Sequence, residues 1–486
     1  MVLAAFCTRE TGGSAVQHSG TSHLRNEPGS ALDVHASRAM KTRNLKVTTD
    51  NLRIGMFVAE LDLPWLGMPF PLQGVLIDDP RQVEYLRDRC QEVMIDIHLS
   101  KAESIRHLPM LVLERDDAGR SLRATVVRHV RTWWESLHAS LFGRERSEPE
   151  PRARLSGIPP EVKLVTYNDA KPFDEAIAPA REVYREIEIA MQAVMDGLAS
   201  KHEISVEAIR VVASELVECV AVNHEAMMWL TRMRQQNVRT YMHSVEVAVY
   251  MVTFGRHLGF PRDQLENFCV TGLLLDVGMT RIDNALIERN GPLTAPEVSE
   301  VRKHVEYGLE ILDKSPEIDP SVREAIAQHH ERIDGSGYPR GLQGDQMSFA
   351  GRMAAIADSF AALTARRPYA EPLSAFNAMK VLFSCANKLY EEPLVEQFVQ
   401  AIGLFPVGSL VELSSGEVAA VVSHNKVRRL KPRVLILTDH GKGLLETPCG
   451  MNLMLEPKDD KGNPVRIWRG LPAGAYGVNP RDYFLA

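Results

Sequence analysis

His329-His330-Glu331-Arg332-Ile333-Asp334-Gly335-Ser336-Gly337-Tyr338-Pro339 is the stretch on which the reading of this chain turns. A histidine pair closes a predicted helix and runs into a turn holding two glycines, a tyrosine and a proline. Imidazoles are the commonest metal ligands, and glycine lets backbone approach a ligand closely. Outward from this run, the chain from 181 to about 403 reads as helical throughout. Val183, Ile187, Met191 and Met195 repeat at i, i+4, and long windows with few Gly or Pro follow.

That predicted bundle carries further residues able to bind metal. His243, Asp276, His304, His329, His330 and Asp358 lie on predicted helices or at helix ends, far apart in sequence. Metal sites in helical bundles are assembled this way, from facing helices. A mixture of imidazole and carboxylate suits iron, manganese or zinc and not calcium. A carboxylate bridging two metals about 3.5–4 Å apart can hold a hydroxide for in-line attack on a phosphodiester. On a helix, adjacent His329 and His330 point about 100° apart, so they are expected to serve different metals or different roles. A single histidine is more often a surface or satisfied core residue; His224 and His257 have no other claim. Six ligand-type residues among the right landmarks are a different matter.

The segments around the bundle differ in kind. Residues 1–43 are rich in Gly, Ser, Thr and His without periodicity, which predicts a disordered tail or sequence upstream of a true start near Met40. Residues 44–103 predict a small α/β domain: alternation at Leu45-Lys46-Val47, a turn and strand over Leu52 to Val58, and an apolar run from Phe70 to Ile77. A helix entered from Asp78-Asp79-Pro80 and a strand from Val93 to Ile97 complete it. Trp65 and Phe70 read as its core aromatics, with a ligand groove as the other reading. Residues 104–180 read as linker. Val126, Val130, Trp133, Leu137 and Leu141 mark an amphipathic helix for docking on the protein itself or on a partner in a homodimer, with a membrane surface as the other reading. After Gly403 short β-branched runs begin, so 404–486 is expected to be a β-rich C-terminal extension with strands near Ser409–Leu413, Glu417–Val422 and Arg433–Leu437. The fold class is mainly α.

Composition sets bounds. With 486 residues, 45% hydrophobic and 24% charged, the chain has room for several cores and reads as globular. A formal net charge of -7 gives no basis for a nucleic-acid partner or a polybasic membrane anchor. Six scattered cysteines without a CxxC predict reduced thiols, and no apolar run is long enough for a transmembrane segment. A cytoplasmic protein is expected.

The eleven-residue run resembles the signature of HD-GYP domains, bacterial phosphodiesterases that cleave cyclic di-GMP. Tyr241-Met242-His243-Ser244 is similar to the context of the family's first histidine. The HDxGK element falls at Leu275-Asp276-Val277-Gly278-Met279, with Leu275 in place of its histidine and Met279 in place of its lysine. His304 followed by Gly308, the pair His329 and His330, Gly337-Tyr338-Pro339, and Asp358 in Ala357-Asp358-Ser359-Phe360 continue the match. Arg367-Pro368-Tyr369 matches the Arg-Pro-Tyr element. Ala361 and Ala370 replace a second aspartate and a basic residue, and Arg239 stands where some members carry a third-metal glutamate. The stretch from Leu52 to Phe70 resembles the small domain of unknown function that often precedes HD-GYP domains.

The resemblance implies an HD-GYP helical bundle using a divalent metal, iron or manganese. One ion is held by His243, the HD histidine, Asp276 and Asp358, and a second by Asp276, His304 and His329, with His330 alongside. Asp276 is the catalytic bridging carboxylate, and Tyr338 and Arg367 are the substrate-binding residues. Three readings stay open. One is a degenerate sensor of cyclic di-GMP, or a scaffold for protein partners such as other signalling domains. Another is an active phosphodiesterase giving pGpG or GMP, and the third is a structural module with a vestigial site.

Overall fold

The computed structural model describes residues 44–61, 75–77, 80–96, 100–105, 158, 161–201, 204–233, 240–289, 291–366, 371–425 and 430–478. The tail 1–43, Trp65, Phe70, the amphipathic helix over 126–141, Arg239 and Arg367 to Ala370 lie outside them.

The N-terminal unit pairs β1 (Asn44–Thr48), β2 (Phe57–Leu61), β3 (Val75–Leu76) and β4 (Glu92–Asp96) in one antiparallel sheet of order β1-β4-β2-β3, with α1 (Pro80–Arg89) between β3 and β4. Val93 and Ile95 point into a small core with Val47, Val58, Ile77 and Leu86. The two-residue alternation of β4 is thus the alternation of a sheet covered on one face. Thr49 Oγ1 donates to the Cys90 carbonyl at 3.0 Å and fastens the end of α1 to the turn after β1.

The bundle runs through α2 (Phe173–Lys201), α3 (Val206–Val222), α4 (His224–Met233), α5 (Thr240–Leu258), α6 (Arg262–Leu274), α7 (Ala295–Arg302), α8 (His304–Leu312), α9 (Pro320–Gln328), α10 (Phe349–Thr364), α11 (Ala375–Ser384) and α12 (Glu392–Ile402). α2 begins at Phe173, upstream of the periodic run read from 181. The reason is Pro179, which lies inside the helix and normally argues for a boundary. The central pair is α5 and α6. Gly272 of α6 faces the Ala248 backbone of α5 so closely that an added Cβ would overlap it, and this contact sets the two axes side by side. Their buried Val, Leu and Phe residues belong to one continuous core with α10 and α12.

The C-terminal extension is a five-stranded antiparallel sheet, order β8-β7-β6-β5-β9, built from β5 (Leu410–Leu413), β6 (Val418–Ser423), β7 (Arg433–Thr438), β8 (Leu444–Asn452) and β9 (Ile467–Leu471). Central β6 is buried along Val418 to Val422 and shares the core of the bundle. Glu225 of α4 accepts from the His424 backbone N–H at 2.8 Å and lies 3.0 Å from its Nδ1, which locks the sheet to the helices. Among the described residues no helix is long and apolar enough to cross a membrane.

Candidate metal centre

Five helices deliver six ligand-type side chains to one place. His243 is in the first turn of α5. Asp276 follows α6 by two residues, where the helix gives way to a 3-10 turn, Val277–Arg281. His304 opens α8, His329 caps the C-terminus of α9, His330 follows it, and Asp358 lies in the middle of α10.

Local sequence explains the convergence. Gly278 in the 3-10 turn lies against α8, where an added Cβ would overlap the His304 carbonyl oxygen and the Gly308 nitrogen. Only glycine permits that approach, and it brings Asp276 Oδ1 to 3.3 Å from His304 Nε2. Asp319 caps α9 by accepting from the Ser321 N–H at 2.7 Å, with Pro320 behind it, so α9 has a fixed start. At its other end Gln328 Oε1 accepts from the Ser348 N–H at 2.7 Å and so ties α9 to the cap of α10.

The ligand atoms fall into two groups that share Asp276. One comprises Asp276, His304, His329 and His330; the other His243, Asp276 and Asp358; each group's atoms lie within 4.8 Å of one another. His243 Nε2 is 2.9 Å from Asp358 Oδ1 and 3.7 Å from Asp276 Oδ2. His329 Nε2 is 3.9 Å from Asp276 Oδ1 and 3.4 Å from His304 Nε2. His329 and His330 both have a ligand atom in the four-residue group. His329 keeps helical backbone angles as the C-cap of α9, and the two rings sit 4.0 Å apart at 42°. His330 also reaches the other group, with Nδ1 3.8 Å from Asp358 Oδ2.

The donor chemistry fits a cation. The Nδ1 atoms of His304 and His329 lie 2.7 and 2.6 Å from the carbonyls of Val301 and Ile326. Donation to those carbonyls leaves each Nε2 with a bare lone pair facing the site, the tautomer that second-shell partners of metal-binding histidines impose. Burial holds the His329 imidazole below its usual range against the pull of Asp358. Burial pushes His330 well below as well, with His329, His304 and Arg332 adding to it. Lone pairs that converge with the carboxylates of Asp276 and Asp358 are matched by a divalent cation.

The eleven-residue run builds the wall of the site. Gly337 lies on the Glu331–Arg332 backbone with no room for a side chain, and the Tyr338 N–H donates to the His330 carbonyl at 3.2 Å. The Tyr338 ring stacks on His330 at 4.7 Å and 28°, and the Arg302 guanidinium lies over it at 4.8 Å. Tyr338 is therefore engaged by two neighbours of the site. Sequence reasoning singled out neither Glu331 nor Arg302. Glu331, directly after the histidine pair, is fully buried and accepts from the backbone N–H groups of Arg340 (2.7 Å) and Leu342 (3.0 Å). Glu331→Ala leaves both donors without their carboxylate and is expected to cost roughly 2–4 kcal/mol in urea unfolding. Gln, which keeps an acceptor, should recover part of it. A loss under about 0.5 kcal/mol, the range of an ordinary surface change, would contradict this role for the carboxylate.

Leu275, one residue before Asp276, is fully buried in the apolar core and contributes no metal-binding atom. Met279 lies half-buried in the 3-10 turn.

Comparison with known proteins agrees with this architecture. Residues 220–394 match the HD domain, and residues 44–209 match a domain of unknown function, DUF3391. The chain is similar to the cyclic di-GMP phosphodiesterase PA4108 of Pseudomonas aeruginosa, with 28% identity over 397 residues, 80% of this chain and 84% of that protein. The 3'3'-cGAMP-specific phosphodiesterase 2 of Vibrio cholerae is 36% identical over 162 residues, 33% of this chain and 31% of its own length. A cyclic di-GMP phosphodiesterase of Thermotoga maritima is 31% identical over 167 residues, 34% of this chain and 45% of its own length. The chain thus spans less than half of the latter two relatives. Among solved structures, the HDG"Y"P protein Bd1817 of Bdellovibrio bacteriovorus aligns with a TM-score of 0.39 and 14% identity, over 73% of this chain and 98% of that one. A helical bundle with this cluster and a match to the HD domain over residues 220–394 is that of an HD-domain protein. Within that class the chain combines an HD domain with a DUF3391 module at its N-terminal side and is similar to proteins named as cyclic di-GMP phosphodiesterases.

Proposed function

We propose that this protein acts in cyclic di-GMP signalling as a sensor or scaffold whose HD-GYP site holds metal and dinucleotide but hydrolyses poorly. The observation that carries the reading is Leu275. Where the family places a metal-binding histidine, this chain buries an aliphatic side chain in its core, next to the carboxylate shared by both ligand groups. Asp276, His304, His329 and His330 would hold one ion, and His243, Asp276 and Asp358 the other; iron or manganese suits that donor set. A divalent ion bound there supplies Lewis-acid activation of a phosphodiester and of the attacking water. Two-metal hydrolysis uses both positions, and even losses behind the ligands typically cost about 10- to 100-fold, so a lost ligand costs more. Met279 adds to the impairment because a thioether donates no proton to a leaving oxygen. We take 44–103, 104–180, 181–403 and 404–486 as the chain's units and place the protein in the cytoplasm, with other signalling domains or a second copy as partners.

A second reading, an active phosphodiesterase giving pGpG or GMP, is favoured by one observation. The His243, Asp276 and Asp358 group keeps three protein ligands, and catalytic metal sites work with three and an open position. Calorimetric titration of cyclic di-GMP into manganese-loaded protein, followed by chromatography of the nucleotide, tests the proposal. Saturable binding with the nucleotide recovered intact is expected. Lack of binding would remove both readings and leave a structural module, and recovery of pGpG or GMP would favour the second.

A further inference from the structure

We infer that Arg302 is an anion-binding residue of this site, supplying the phosphate contact that Met279 cannot make; this rests on the dinucleotide reading above. Arg302 ends α7, two residues before His304. Its guanidinium lies 4.8 Å over the Tyr338 ring, which stacks on His330 of the metal centre. Its Nε is buried and has no hydrogen-bond partner among the described residues.

The neighbouring cations are committed elsewhere. Arg281 pairs with Glu310 at 2.5 Å, Lys303 with Glu300 at 2.6 Å and Arg340 with Glu324 at 3.0 Å. Arg332 donates to the carbonyls of His329 and Glu331 and lies over Tyr390. Arg302 alone among these five has no carboxylate or carbonyl partner among the described residues. A guanidinium held by an aromatic face keeps its N–H fork free for a phosphate, the geometry in which arginine binds bidentately. The Tyr338 ring stacks on His330 and meets His304 edge-on at 6.4 Å, so it links the Arg302 charge to the ligand groups.

The test is calorimetric titration of the manganese-loaded full chain with cyclic di-GMP and, separately, with pyrophosphate. The proteins are wild type, Arg302→Ala and Arg302→Lys. Arg302→Ala is expected to weaken cyclic di-GMP binding roughly 10- to 100-fold at unchanged metal content, as loss of a charged hydrogen bond does, with Lys restoring part of it. The wild-type affinity should fall with added salt more steeply than that of Arg302→Ala. If wild type binds the dinucleotide and Arg302→Ala binds it within twofold, the inference is overturned while the functional reading stands. If wild type binds only pyrophosphate, the dinucleotide reading fails, and loss of pyrophosphate binding in Arg302→Ala still supports an anion site there. Binding of neither probe by wild type, or equal pyrophosphate binding by the variant, overturns the inference.

Discussion

Asp276→Ala is expected to strip the purified protein of manganese or iron, weakening metal affinity by more than about 100-fold. Asp276 is the one residue common to both ligand groups, so a single substitution reduces one set from four to three and the other from three to two. Its two oxygens face different histidines, Oδ1 toward His304 and Oδ2 toward His243, as a bridging carboxylate requires. The side chain makes no capping hydrogen bond at the turn it precedes, so its removal should leave the fold intact. Asp358→Ala is the comparison: Asp358 is a member of the three-residue group alone, though its Oδ2 lies 3.8 Å from His330, and its loss should lower metal affinity less than Asp276→Ala does. Metal content by mass spectrometry, with circular dichroism to verify folding, reads the outcome. A folded Asp276→Ala protein with full metal content would show that the cluster is not the metal site.

Leu275→His is expected to raise cyclic di-GMP turnover by more than about tenfold, and Met279→Lys on top of it further. The substitution places an imidazole next to Asp276, where the family carries one. It also buries a polar group in an apolar core, which should cost about 1–3 kcal/mol in the metal-free protein. An imidazole that ligates repays this cost only when metal is present, because a ligand that binds the folded state stabilises it by mass action. The variant should therefore gain more melting temperature from manganese than wild type does. Unchanged turnover, together with equal stabilisation by manganese, would mean that residue 275 has no access to the site.

Much of this molecule was legible because its signals are local. The i, i+4 apolar repeat marked the bundle, and the turn chemistry of Gly335 to Pro339 marked the site. Both reflect constraints that each segment carries by itself. The central strands β6 and β7 were legible for the same reason, since burial on both faces demands β-branched runs. Edge strands β8 and β9 were not marked individually. β8 is largely exposed and carries Pro448 and Gly450, and β9 exposes Trp468, so neither shows a strand's alternation. The site showed the same division. The six ligand types were visible in sequence, but their distribution over two groups that share Asp276 depended on the packing of five helices. Arg302 could not be read from sequence, because what singles it out is the pairing of Arg281, Lys303, Arg332 and Arg340, which only the fold shows. Glu331 could have been found: an acidic residue directly after a histidine pair and before a glycine-rich turn is placed to accept that turn's N–H groups.

The most direct test of the account is cyclic di-GMP hydrolysis by the purified full chain, reconstituted with manganese or ferrous iron and run beside Asp276→Ala. The account predicts that wild type releases pGpG or GMP only slowly, while Leu275→His exceeds it by more than about tenfold and Asp276→Ala shows the least. Wild-type turnover that disappears in Asp276→Ala and that Leu275→His does not raise would contradict it, and would mean that the three ligands His243, Asp276 and Asp358 suffice for catalysis.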